Sequence, residues 1–280
     1  MLPIIKIENE WGDVLNLSGN PRYAVTVSGT APPGATINTS KVALNDGARF
    51  NSSTRNVRNL LLNIDILRDF GRARMELYRY IVSGAYLKVY YKTDYLDVWI
   101  EGYVENVEHD PYSLGQFMQV SVLCPFPFWQ DMSETYTDAS NVTNLMEFPW
   151  SAPEEGVELS AAAANAYTVV TNAGHVKSGA RFVVRATVRS LQPRIYNLGT
   201  GEWMGFYIDM FPGDILTVDT TQGQKSVYLE ADGGKANYIN TIMPGSTWLQ
   251  LAPGENEISY TVDEGSVNLG IYHMNKYQGV

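Results

Sequence analysis

The side chains that most often carry catalysis or hold metal are scarce in this chain. It contains three histidines, His109, His175 and His273, and a single cysteine, Cys124. None of the histidines has a second ligand type at a spacing typical of a metal site, so each is interpreted as a structural residue. Cys124 follows an apolar strand-like segment and precedes a proline, which favours a small buried side chain over a nucleophile.

Sequence signatures of enzymes are also missing. The chain has no Gly-x-Ser-x-Gly elbow, no Walker loop and no glycine fingerprint for dinucleotides. Carboxylates are numerous, but no pair is set apart as an acid and a base, which disfavours a glycan-degrading enzyme. We therefore predict no catalytic residue, no metal and no cofactor, in a protein that works by binding or by assembly.

Aromatic residues are the clearest candidates for ligand binding. The chain has 6 Trp and 18 Tyr, and exposed rings on a β-sandwich can bind sugars by stacking on their apolar faces. Trp203, Tyr207, Tyr238 and Trp248 are the candidates in the second half. Packing in a core or an interface is the alternative use of these rings. Carbohydrate binding is therefore a hypothesis, with a carbohydrate-binding adhesin as the alternative function.

Three arginines recur at every fourth position of one predicted strand, at Arg181, Arg185 and Arg189. Side chains four residues apart lie on the same face of a strand. Such a row indicates either a solvated sheet face or a binding face for an acidic partner, and the sequence leaves both interpretations open.

Size and charge narrow the class of protein. The chain has 280 residues, which favours two domains, and its apolar content of 45% is that of a folded protein. Its net charge of −10 argues against a general nucleic-acid binder. The charge is uneven, because residues 1–130 carry 12 Lys and Arg against 13 Asp and Glu, and residues 131–280 carry 8 against 17.

No segment of the sequence is predicted to meet a membrane. The apolar stretches are far shorter than the roughly 20 residues that a membrane span needs. The first residues lack a basic leader followed by an apolar core, so no signal peptide is recognised and synthesis in the cytoplasm is expected.

Apolar and polar residues alternate along most of the chain, which predicts a mainly β protein. One segment of the first half instead has helical spacing and predicts a helix over 71–84, with Asp69 as its cap and Gly84 as its stop. The apolar residues that carry this spacing are Met75, Tyr78, Ile81 and Val82.

The alternation predicts three regions. Residues 1–132 form a β-domain with one helix, and residues 133–165 form a linker without sustained alternation. Short strands separated by Gly, Pro and Asn resume over residues 166–280, which is typical of a sandwich or jelly roll.

The junction between the two halves has a distinctive sequence. A predicted strand runs into Cys124-Pro125-Phe126-Pro127-Phe128-Trp129, after which the pattern changes. This arrangement resembles the distal tail proteins of long-tailed bacteriophages, in which the last strand of the ring-forming domain ends in a short cysteine, proline and aromatic segment. Many relatives have an acidic residue where this chain has Phe126, so any role of that charge is absent here.

Further segments are similar to the same family in the same order. In the first half these are the glycine-led stretch from Gly47, the strand 57–67, the helix 72–83 and the strand with Glu101-Gly102. In the second half, Asn172-Ala173-Gly174 resembles the opening of a galectin-like or carbohydrate-module-like domain, and Leu251-Ala252-Pro253-Gly254-Glu255-Asn256 resembles its turn before a closing strand.

The resemblance implies a role in the virion. The first domain would form a homo-hexameric ring at the tail tip, and the β-sandwich would project outward. The ring would join the tail tube protein to a tail-associated hub or fibre protein. During host adhesion it would also meet a receptor-binding protein or a host surface glycan, while DNA passes through the lumen without specific binding.

Residues 28–50 form a polar stretch that is long for an ordinary connection. In the family a comparable segment helps to clasp a neighbouring ring or tube. We therefore predict that this stretch is an arm, and that Ala31 to Asp46 become ordered mainly on assembly.

Overall fold

The computed structural model describes residues 2–41, 46–110, 116–140 and 167–280, with the backbone of two short strands at 142–144 and 160–162. The chain divides into two compact units. Unit 1 comprises Met1–Met132 together with Lys276–Val280, and unit 2 comprises Ser133–Asn275. Both units are built mainly from strands, which confirms the predicted fold class.

The elements follow in chain order. Unit 1 contains β1 (Ile4–Asn9), β2 (Val14–Asn16), β3 (Tyr23–Ser28), β4 (Ala35–Lys41), β5 (Ala48–Arg55), β6 (Arg58–Ile66), α1 (Phe70–Tyr80), β7 (Tyr86–Lys92), β8 (Asp97–His109), β9 (Gln116–Cys124) and β10 (Trp129–Asp131). Unit 2 contains β11 (Thr135–Asp138), β12 (Val142–Asn144), β13 (Ser160–Ala162), β14 (Thr168–Asn172), β15 (Ser178–Ala186), β16 (Ser190–Leu191), β17 (Arg194–Asn197), β18 (Glu202–Gly205), β19 (Asp209–Met210), β20 (Ile215–Asp219), β21 (Ser226–Ala231), β22 (Gly234–Asn237), a 3-10 turn (Ile239–Thr241), β23 (Gln250–Leu251), β24 (Gly254–Thr261) and β25 (Val267–His273). The last strand, β26 (Lys276–Tyr277), belongs to unit 1.

Unit 1 is organised around one antiparallel sheet in the order β2-β1-β7-β8-β9-β6-β3. The long strand β6 illustrates how this sheet covers the core of the unit. Its alternate side chains, from Leu60 to Ile66, are buried, and the residues between them are exposed or half-buried. Strand β6 pairs with β9 from Arg58 opposite Cys124 to Ile66 opposite Gln116. This pairing places the Cys-Pro junction beside the first residue of β6.

Helix α1 packs on unit 1, but its limits differ from the prediction. It spans Phe70–Tyr80 rather than 71–84. Asp69 stands at the N-cap in a left-handed conformation with φ 52° and makes no side-chain cap hydrogen bond. Gly84 does not stop the helix; it lies in the following turn, where its N–H donates to the carbonyl of Val104. The helix ends earlier because that turn must return the chain to the sheet.

The C-terminal residues correct the predicted domain limits. Residues 276–280 were expected in the sandwich, but β26 pairs with β10, with Tyr277 opposite Trp129. Strand β10 also pairs with β8, so this return extends the main sheet of unit 1. Strands of two or three residues are too short to show a period of alternation, which is why the sequence does not reveal the return.

Unit 2 is a β-sandwich. One sheet runs β11-β25-β15-β20-β21-β22, with β23 also paired to β15, and the other runs β14-β24-β17-β18. Inward side chains of both sheets, among them Phe182 and Ile258, share one core. Strand β11 lies within the predicted linker 133–165 but pairs fully with β25, so that prediction was too wide at its start. Much of the remaining linker lies outside the described residues.

Two buried asparagines explain the motifs noted in the second half. The Asn172 side-chain amide donates to the carbonyls of Val176 and Leu251, and its oxygen accepts from the N–H of Gly174. The Asn256 side chain likewise accepts from the N–H of Ala252 and donates to that residue's carbonyl. Each amide thus satisfies the buried backbone groups of a turn, a role that an apolar side chain could not fill.

Candidate assembly surfaces and the junction site

A β-hairpin of β4 and β5 projects from unit 1. Every residue of both strands is exposed, including Ile37 and Phe50, with exposed fractions of 63% and 61%. Residues 35–55 carry three basic side chains and one acidic side chain in a chain whose net charge is −10. A two-stranded hairpin with no buried face is marginally stable alone, so this element fits a partner surface.

The outward face of α1 is a second apolar surface. Ala73, Leu77 and Ile81 are the buried residues on the inner side. Of the residues that carried the helical spacing, Met75 on the helix is 61% exposed, and Val82, just beyond its end, is 42% exposed. Exposed apolar side chains on a surface helix make its outer side a candidate interaction surface.

One groove of unit 1 is lined by strands that are not neighbours in the sheet. Strand β3 is the last strand in the sheet order, and its Ala24 to Val27 line the groove together with the N-terminal residues Leu2 to Ile5. The groove has a volume of about 620 Å³. An edge strand with unpaired backbone groups is a template for pairing with another chain, so this seam is a further candidate interface.

The junction at the end of β9 is organised by one buried cation, Arg58, which is only 3% exposed. Its Nε donates to the carbonyl of Pro127 at 2.8 Å, and one terminal nitrogen donates to the carbonyls of Gly29 and Ala31. The other terminal nitrogen donates to the carbonyl of Gln278.

This cation joins three separate segments of unit 1. They are the root of the hairpin, the Cys-Pro junction and the returning C-terminal segment. The guanidinium also lies over the Trp129 ring, 5.9 Å from its centroid. Burial lowers the pKa of Arg58, but a guanidinium remains charged in proteins. Sequence reasoning missed Arg58, although it continues the inward alternation of Leu60 to Ile66 on β6.

Cys124, at the centre of this junction, is fully buried. Burial raises the pKa of its thiol to about 12. Because the thiolate is the reactive form, we expect iodoacetamide at pH 8 to leave the native protein unlabelled and to alkylate one thiol after denaturation. Intact-mass spectrometry measures both states. Rapid labelling of the native protein would contradict the described burial.

Other sequence candidates for chemistry are placed in structural roles. The Nε2 of His109 accepts a hydrogen bond from the Arg74 guanidinium, and its Nδ1–H donates to the carbonyl of Phe117, both at 2.9 Å. His273 is buried and contacts the carbonyl of Thr171 at 3.1 Å. Among the described residues, no group of three or more His, Cys, Asp or Glu is arranged to hold a metal ion. That part of the chain also contains no helix with the length and apolar character needed to cross a bilayer.

Comparison with known protein families gives a match in the second half of the chain. Residues 173–277 match the siphovirus-type tail components, over the C-terminal domain of that family. These residues therefore resemble the C-terminal domain of a phage tail component. Among curated protein sequences the chain has no match.

Solved structures share the fold of this chain. The Dit protein of phage SPP1, described as a paradigm of the hub adsorption apparatus in phages that infect Gram-positive bacteria, superposes with a TM-score of 0.69 at 12% identity, over 97% of this chain and 98% of that one. A chain of the activated phage P2 baseplate with calcium superposes with a TM-score of 0.56 at 9% identity, over the whole of both chains. The same baseplate with strontium gives 0.55 at 9% identity, again over both whole chains.

The four aromatic residues predicted to bind carbohydrate have different surroundings in this chain. Trp203 is half-buried and stacks on Tyr196, with centroids 6.5 Å apart. Trp248 packs against the core beneath the Lys225 ammonium, and Tyr238 also packs against the core. Tyr207 alone of the four is largely exposed, at 58%. A sugar site at these positions stays a prediction, but three of the rings already serve packing.

Proposed function

We propose that this chain is a phage tail component that closes into a ring of six copies at the tail tip, where it joins the tail tube to hub or fibre proteins used in host attachment. The observation that carries the proposal is the β4–β5 hairpin, in which every residue of both strands is exposed. The SPP1 protein of the same fold is a hub component, which supports a hub position for this chain.

The surfaces of unit 1 are of the kind that a closed ring requires. A ring uses heterologous contacts, in which one patch meets a different patch on the next copy. The hairpin is basic and apolar, whereas the outward side of β8 presents Glu101, Glu105 and the half-exposed Tyr103. Opposite charges steer such surfaces together and fix their register. This complementarity favours self-assembly over a partner of unrelated charge.

Light scattering coupled to size-exclusion chromatography tests the ring. We expect the full chain to elute with a mass of about six times 31.2 kDa, and the double variant Ile37→Asp, Phe50→Asp to elute as a monomer. The substitution places charges in what would be a desolvated interface, which costs several kcal/mol per contact. Thr36→Asp with Thr54→Asp, on the same exposed hairpin, is the matched control and should weaken the ring far less.

Two results would overturn the proposal of a ring. One is a wild-type protein that stays monomeric at every concentration. The other is an undiminished hexamer in the Ile37→Asp, Phe50→Asp variant, which would remove the hairpin from the interface.

A further inference from the structure

Two tyrosines lie side by side on the outer face of the larger sheet of unit 2. Tyr136 of β11 is paired in register with Tyr272 of β25, and their ring centroids are 4.8 Å apart at an angle of 40°. Gly270 makes room for the pair, because a Cβ there would lie 3.1 Å from the Tyr136 ring. Tyr136 is 54% exposed, so the pair forms an open aromatic platform.

Two of the three arginines noted in the sequence, Arg181 and Arg185, lie on β15, whereas Arg189 lies beyond the end of that strand. Arg181 is ion-paired with Glu134 and lies over the Tyr272 ring at 4.5 Å. Arg189 is ion-paired with Asp209. Arg185, between them, is exposed and has neither an ion pair nor a hydrogen bond within the described part of the chain. The structure therefore leaves one of the three guanidinium groups available to a ligand.

Arg185 lines a recess of about 170 Å³ beside the tyrosine pair. Val183 and Gly270 are among the residues at its base, and Asn268, Asp138 and Ser140 complete its polar lining. The carboxylate of Asp138 accepts hydrogen bonds from the N–H and the hydroxyl of Ser140. The recess thus combines an aromatic wall with a set of donors and acceptors.

We propose that this recess is a binding site for a neutral saccharide. Aromatic rings stack on the apolar C–H face of a sugar, while guanidinium, amide and carboxylate groups match its ring of hydroxyls. The charges of Arg185 and Asp138 offset each other, which favours an uncharged polyhydroxylated ligand over a carboxylated one or an acidic peptide. The site does not depend on ring formation, because every residue of it lies in unit 2.

Saturation-transfer NMR and a glycan array with the full chain test this site. The probes are neutral oligosaccharides of hexose and N-acetylhexosamine, with carboxylated glycans as a second set. We expect binding to the neutral set, and a loss of about tenfold or more in affinity for both Tyr136→Ala and Arg185→Ala. Tyr228→Ala, which removes a tyrosine on the same outer face under Lys235, is the control and should bind as the wild type does.

The outcomes separate the proposal from its competitors. Selective binding of carboxylated glycans, or no saccharide binding at all, would overturn it. So would neutral-sugar binding that survives Tyr136→Ala and Arg185→Ala but is lost in Trp203→Ala with Trp248→Ala. NMR detects saccharide binding in the monomer and in the ring alike. A protein that does not form the ring can therefore still show the saccharide site, and the two proposals fail in different experiments.

Discussion

Replacing Arg58 by methionine is expected to lower the free energy of unfolding of unit 1 by on the order of 3–5 kcal/mol. The substitution keeps much of the side-chain volume but removes the donors to the carbonyls of Gly29, Ala31, Pro127 and Gln278. These carbonyls would stay buried without a donor, which destabilises the fold, because a methionine side chain cannot donate a hydrogen bond to them. Chemical denaturation followed by tryptophan fluorescence measures the change, since Trp129 lies in this unit.

The control for this prediction is Arg55→Met, three residues earlier on the exposed end of the hairpin. It removes the same charge and should change stability by less than about 0.5 kcal/mol. Arg58→Lys keeps the charge but loses the planar fork that reaches several carbonyls at once, so it should fall between the two. Equal effects of Arg58→Met and Arg55→Met would show that the buried network does not stabilise the unit.

Hydrogen exchange distinguishes the network from general packing. In Arg58→Met, faster exchange is expected first at Val280, whose N–H donates to the carbonyl of Thr30, and at the β10–β26 pairing. A variant in which these amides stay protected while the rest of unit 1 loosens would contradict the assigned role of Arg58.

Gly29→Ala is expected to displace the root of the hairpin and to abolish the ring. Gly29 has φ +85°, and a Cβ on it would lie 2.2 Å from the backbone oxygen of Asn59. The left-handed conformation alone costs an alanine roughly 1–2 kcal/mol, and the contact with backbone cannot be relieved by a side-chain rotation. The end of β3 must therefore separate from β6, which moves the hairpin that follows.

Gly47→Ala, near the tip of the same hairpin, is the matched control. Gly47 has φ +90°, but a Cβ there meets no atom within 4 Å, so only the conformational cost applies. We expect light scattering to show a ring for Gly47→Ala and monomers for Gly29→Ala, with a lower melting temperature for Gly29→Ala. If both variants form rings of equal stability, the position of the hairpin root does not control assembly.

The sequence predicted the features that repeat regularly. Alternation predicted β6, β9 and β15 because each has a buried side and keeps its period over many residues. It did not predict which side of α1 is buried, because this helix carries apolar residues on both sides. Interface residues and core residues have the same types, so spacing alone could not assign Met75 to the outside.

The candidate sites depend on contacts between distant segments. Arg58 is notable in the sequence only as a charged residue in an inward position of a strand, and its four acceptors come from three separate segments. Tyr136 and Tyr272 lie near opposite ends of unit 2 and meet only because β11 pairs with β25. The row of arginines was visible in the sequence, but the acids that neutralise two of them were not.

The return of β26 to unit 1 sets an order of events during synthesis. Unit 2 lies between two parts of unit 1 along the chain, so residues 276–280 leave the ribosome only after the whole sandwich has been made. Until then Arg58 lacks its acceptor on Gln278 and β10 lacks its outer neighbour. The buried contacts of Arg58 are therefore completed last, and unit 1 of a nascent chain reaches its final fold only when the sandwich has already been synthesised.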